Sequence, residues 1–164
     1  MAPLPQISGG PARWVLTATV VLWAAFGAIG AACADDAHAD DRRYGASTQS
    51  PYEDVVDEVM FAITEHNFRI TGGNEIGGAI GKRHDTPFPR SEIVHFCNLE
   101  YARKFLEIAP GFLLHMPCKV ALYEHEGRVV VETQLLPEDD PRLVELTREV
   151  NGILQAIVDA ATDE

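Results

Sequence analysis

The stretch Ser91–Glu132, SEIVHFCNLEYARKFLEIAPGFLLHMPCKVALYEHEGRVVVE, decides the fold, because it carries the strongest strand signals and the two cysteines that follow the N-terminal export segment. Glu92–Cys97 alternates as a strand, with Ile93, His95 and Cys97 on one face and Val94 and Phe96 on the other. Asn98 stands where a helix N-cap belongs. Tyr101, Ala102, Phe105 and Leu106, with Ile108 or Ala109, then mark one helical face that ends at Pro110-Gly111. Phe112–Met116 is apolar and stops at Pro117, which donates no ladder hydrogen bond and so marks an edge, a bulge or a strand start. Beyond it Cys118, Val120 and Leu122 alternate with Lys119, Ala121 and Tyr123. A short turn through Gly127 leads into Arg128–Leu135, and the two runs predict a β-hairpin.

Upstream, Ser50-Pro51-Tyr52-Glu53 matches a capping box with proline at the first helical position. Val55, Val56, Val59, Met60 and Ile63 continue it as one apolar stripe. Phe68–Thr71 reads as a short strand closed by Gly72 and Gly73, followed by a mobile loop or short irregular helix up to Pro89. Gly77, Gly81 and Lys82 do not make a phosphate loop. Only three residues separate the glycines where four are needed, and Arg83 stands where serine or threonine belongs. Downstream, Asp140 and Pro141 predict the start of a long amphipathic helix carrying Leu143, Leu146, Val150, Ile153, Leu154, Ile157 and Val158, with Gly152 its weak link. The order helix, strand, loop, strand, helix, hairpin, helix predicts an α+β two-layer domain, a mainly antiparallel sheet with helices packed on one face.

The length of 164 residues suits one such domain plus a targeting segment. Trp14–Ala32 is free of charge and follows Arg13, the pattern of a secretory signal. Ala37-His38-Ala39 is the preferred cleavage point over Ala32-Cys33-Ala34, because it clears the apolar run by a longer spacer. Residues 1–39 are therefore read as a signal peptide, 40–50 as a flexible leader and 51–164 as the domain. The alternative is a retained N-terminal membrane anchor, since about 18 apolar residues can span a bilayer. Lipid attachment at Cys33 is disfavoured by Gly30, which stands where such motifs carry leucine. All three readings place the domain outside the cytoplasm, in the periplasm. A net charge of −12 repels nucleic-acid backbones and anionic lipid, so neither is an expected partner of the mature domain.

The succession Phe96-Cys97-Asn98, a helix containing Ala102, then Pro117-Cys118-Lys119-Val120-Ala121-Leu122-Tyr123-Glu124 and a valine strand after Gly127 resembles the domain of unknown function 302 family. The resemblance implies a compact α+β domain, often a homodimer, with no settled reaction. The export signal and the histidines near both cysteines depart from its plainer members.

Cys97 and Cys118 are the centre of the candidate site, and three readings of them compete. A bracing disulfide would add about 3 kcal/mol by closing a loop of roughly 20 residues, provided the Cα atoms come within about 7 Å. A ligand site would use Cys97, Cys118, His95, His115 and Met116, nitrogen and sulfur donors suited to copper, zinc or a haem iron, with His84, Asn98 and Lys119 as weaker candidates. Ordinary packing would bury both thiols as small hydrophobes. Neither a CxxC nor a CxxCH motif is present. With no serine–histidine–acid set or identifiable carboxylate pair, the chain reads as a non-enzymatic binding or accessory protein. A periplasmic thiol redox protein using Cys97 and Cys118 and a structural partner protein are the alternatives.

Overall fold

A two-residue turn closes the hairpin from which the sheet extends. Strands Cys118–His125 and Arg128–Gln134 pair antiparallel, with His125 opposite Arg128. Glu126 and Gly127 between them take φ of 50° and 75°, the left-handed pair that matches the right-handed twist of a hairpin. This computed structural model describes residues 42–163. The proposed export segment, its cleavage points and Cys33 lie outside the described residues.

In chain order the elements are β1 (Arg43–Thr48), α1 (Tyr52–Glu65), β2 (Arg69–Glu75), α2 (Ile76–His84), β3 (Ser91–Cys97), α3 (Leu99–Ile108), a 3₁₀ turn (Pro110–His115), β4 (Cys118–His125), β5 (Arg128–Gln134) and α4 (Val144–Ala160). They build one five-stranded antiparallel sheet in the order β1-β5-β4-β3-β2. The α+β two-layer expectation holds. Val94 and Phe96 of β3, Val120 and Leu122 of β4, and Val129 and Val131 of β5 point into a single core. There they meet Val55, Val59 and Ile63 of α1, Phe105 of α3, and Val150, Leu154 and Ile157 of α4. The period of two on the strands and of 3.6 on the helices puts these residues on facing surfaces, and that burial is the main drive to fold.

Four local expectations are corrected. Residues 43–48 are not a flexible leader but strand β1, whose Tyr44, Ala46 and Thr48 face inward while β5 takes the backbone pairing that would otherwise leave it a bare valine edge. Tyr44 secures the strand by donating its hydroxyl to Asp159 of α4 at 2.8 Å. The Ser50 capping box does not form: Ser50 bonds the Thr48 hydroxyl at 3.0 Å, and Glu53 pairs instead with Arg90 at 2.9 Å. Gly72 and Gly73 do not end β2. They lie opposite His95 and Val94, beyond a register shift between Ile70 and Gly72. The last helix starts at Val144 rather than at Asp140, whose carboxylate accepts from the Arg142 backbone at 2.9 Å and pairs with its guanidinium at 2.6 Å.

Asn151 ties the end of β5 to α4. Its side chain accepts from the Leu136 amide at 2.7 Å and donates to the Leu136 carbonyl at 3.1 Å, so a buried amide group satisfies a backbone segment that has left the ladder. Gly77 is the tight spot of α2. A Cβ there would collide with the Pro89 carbonyl and lie 2.8 Å from the Ser91 amide, at the entrance to β3. Gly152 in α4 is exposed and would meet nothing within 4 Å. Gly77→Ala is therefore expected to lower stability by roughly 1–3 kcal/mol, whereas Gly152→Ala raises it by about 0.4–1 kcal/mol. Urea denaturation of the two variants checks this, and equal effects of the same sign would contradict it.

Candidate functional site

The site lies where β3 ends and β4 begins. Phe96 stands opposite Cys118, so the excursion from Asn98 to Pro117 leaves the sheet and returns to the same rim. Asn98 starts that excursion: its Oδ1 accepts from the Glu100 and Tyr101 amides at 2.9 and 3.3 Å, while its Nδ2 donates to the Asn67 carbonyl at 3.1 Å. As an N-cap it is worth about 1 kcal/mol and sets where α3 points. The 3₁₀ turn folds back beneath α3, with Phe112 stacked on Phe105 at 4.3 Å and the His115 ring 4.9 Å from Phe112. A cis Met116–Pro117 bond leads into β4.

Two chambers open at this rim. The deep one has a cavity volume of about 20 Å³, room for about one water-sized sphere, and is lined by the three sulfur residues Cys97, Met116 and Cys118 and by aromatic rings that include Tyr101, Phe105 and Phe112. The outer one has a volume of about 190 Å³ and is lined by His95, Lys119, Gln134 and Leu114 among others. His115, Met116, Cys118 and Leu136 belong to both. The chain carries 25 aspartates and glutamates, yet no carboxylate among the described residues lines either chamber.

The structure thus assembles most of the expected set and divides it. Cys97 and Asn98 line the deep chamber, His95 and Lys119 the outer one, and His115, Met116 and Cys118 both. His84 ends α2 and lines neither. His95 lies directly opposite Lys119 across β3 and β4. Its Nε2 donates to Asn74 Oδ1 at 3.1 Å, because a carbonyl oxygen can only accept. In the neutral ring Nδ1 then carries a lone pair, and that atom is buried with no partner among the described residues. Sequence reasoning missed Leu136 and its anchor Asn151, and it passed over the chamber walls Phe68 and Val150. An amide next to Val150 in an otherwise apolar helical stripe was the available signal.

Both cysteines are free thiols, so the bracing disulfide is not formed. Cys118 shares the core face with Val120 and Leu122, and Cys97 lines the same deep chamber without being bonded to Cys118. Burial pushes the Cys118 thiol up to about 12, with the neighbouring Cys97 adding to the effect, and burial also raises Cys97. Neutral thiols pack well and attack poorly, which opposes the thiol redox reading. Among the described residues, no three His, Cys, Asp or Glu side chains converge closely enough to hold a metal. A zinc centre of such ligands alone does not fit, and the deep chamber has no room for a haem macrocycle.

The folded state keeps the Cys118 proton after the unfolded chain has released it. The resulting stability is complete below the ordinary thiol value of 9.0 and is lost as pH climbs from there toward about 12. The stability gap between the wild type and Cys118→Ala, read from urea denaturation at pH 7 to 11, should therefore narrow with rising pH. A gap independent of pH would refute the burial of this thiol.

Comparison with known proteins agrees with the fold. The family model described as "Domain of unknown function DUF302" matches residues 44–161. The crystal structure of an uncharacterized conserved protein DUF302 from Bacillus stearothermophilus superposes with a TM-score of 0.66 at 16% identity, covering 73% of this chain and 98% of that one. The comparison with curated proteins gave no match.

Proposed function

The chain belongs to the DUF302 family, whose description assigns no reaction, and from its rim site we propose that it is an exported, non-enzymatic binding module that seats a small ligand in the paired chambers. The observation that carries this reading is that Cys97, Met116, Cys118 and His115 all line one pocket that no carboxylate among the described residues lines, in a strongly acidic chain. Such a pocket excludes hard cations, which seek carboxylate oxygens, and favours a soft or weakly polar guest. The raised thiols support binding over electron transfer, because a redox cysteine requires an accessible, acidified sulfur. The basic start and apolar middle of residues 13–32 support export to the periplasm. Pairing of two copies is proposed from the family resemblance, with Ile93, Ala121 and Val130 giving the strand face away from the core its apolar strip.

Native mass spectrometry of the mature protein, exported by its own leader and purified without reductant, tests the binding reading. The expected result is a bound species that disappears in Ala102→Phe, which fills the deep chamber. Bare sequence mass with both thiols free, and a Cys97→Ser/Cys118→Ser double variant altered only in stability, would refute it. Sedimentation should give twice the chain mass, and a concentration-independent monomer would remove the proposed pairing.

A further inference from the structure

Resting on that binding reading, we infer that the deep chamber takes a single copper(I) ion, held by Cys118 Sγ, Met116 Sδ and an imidazole nitrogen of His115. These three donors fall within four consecutive residues, and each lines both the deep chamber and its outer neighbour, so an ion bound by them sits where the two meet. Two sulfurs and a nitrogen form a soft set, and thiolate and thioether ligands select copper(I) among biological cations.

Charge supports the same ion. One thiolate, one neutral thioether and one neutral imidazole around a monovalent cation sum to zero. A neutral complex is the kind that an apolar, aromatic-walled chamber can bury without an uncompensated charge. A divalent ion on the same donors would keep a positive charge, and no carboxylate among the described residues lines either chamber to balance it. Among the described residues no three His, Cys, Asp or Glu side chains converge, so a three-donor site at this rim draws on the Met116 thioether, a ligand that zinc does not favour. The size of the chamber agrees, since about 20 Å³ suits one ion rather than an organic molecule.

The donors are also held in place. Met116 and Cys118 are partly buried and packed against the core. His115 rests against Phe112, which is itself stacked on Phe105, and its side chain remains exposed at the mouth. On ion binding the Cys118 thiol proton passes to solvent. Cys97 lines only the deep chamber and is not one of the three donors.

Anaerobic titration of the mature chain with copper(I), in competition with bicinchoninate, tests this assignment. One ion per chain is expected, with an X-ray absorption spectrum showing two sulfur scatterers and one nitrogen. Met116→Leu, which conserves volume, and Cys118→Ser should each weaken binding more than about 100-fold, beyond the usual effect of losing an outer-shell partner, while Cys97→Ser changes it less than about tenfold. Circular dichroism of Met116→Leu confirms that the variant folds. Copper(I) binding unchanged in Met116→Leu, or zinc bound with the same dependence on these variants, would overturn the inference. If native mass spectrometry shows a bound species other than copper and no copper(I) is taken up, the ion assignment falls and the binding module stands. If neither is bound, both fall.

Discussion

The antiparallel pairing of β3 with β4 in the register that sets Phe96 opposite Cys118 is the constraint on which the rest depends. It places Val94, Phe96, Val120 and Leu122 on one face, so that α1, α3 and α4 have a single surface to cover. It also returns the chain, after α3 and the 3₁₀ turn, to the rim it left. A slip of one residue would turn Phe96 outward and carry Cys118 away from the chambers, so the core and the site share one register. The I′-type turn at Glu126-Gly127 reinforces this from the other side by fixing how β5 meets β4.

The site is unusual for what surrounds it. The surface is acidic, and several of its arginines pair with carboxylates: Arg90 with Glu53 and Glu124, Arg103 with Glu100 and Glu107, Arg148 with Glu138 and Glu145. These pairs are exposed, and each contributes little to stability. The rim is the reverse, with sulfur, imidazole and aromatic carbon gathered and no carboxylate among the described residues lining it. Dispersion dominates in such surroundings, and burial disfavours a thiolate there.

Some of this was legible in the residues themselves. Alternation along Glu92–Cys97 and Cys118–Leu122 identified the inward faces, and Asn98 announced a cap that the structure confirms with two backbone bonds. β1 escaped notice because Tyr44, Ala46 and Thr48 alternate without a strongly apolar residue. Its strand character comes from the edge of β5, a partner some 80 residues away in sequence. Gly72 and Gly73 looked like terminators for the same reason: pairing with β3 overrides their low strand preference. Ser50 failed as a cap because the helix begins at Tyr52 with Pro51 in the cap position, and the Ser50 hydroxyl meets that of Thr48 instead.

Local pattern alone determined the α+β class, the hairpin, the cap at Asn98 and the sulfur and imidazole residues that line the rim, since period and turn chemistry act over a few residues and are written in their order. Only the tertiary structure decided that Cys97 and Cys118 remain separate thiols, that His95 lines the outer chamber rather than the deep one, that His84 lines neither, and that Leu136, held by Asn151, lines both. Those outcomes depend on which way a side chain points when two distant strands meet. That direction is set by inter-strand register and packing, which no single segment contains.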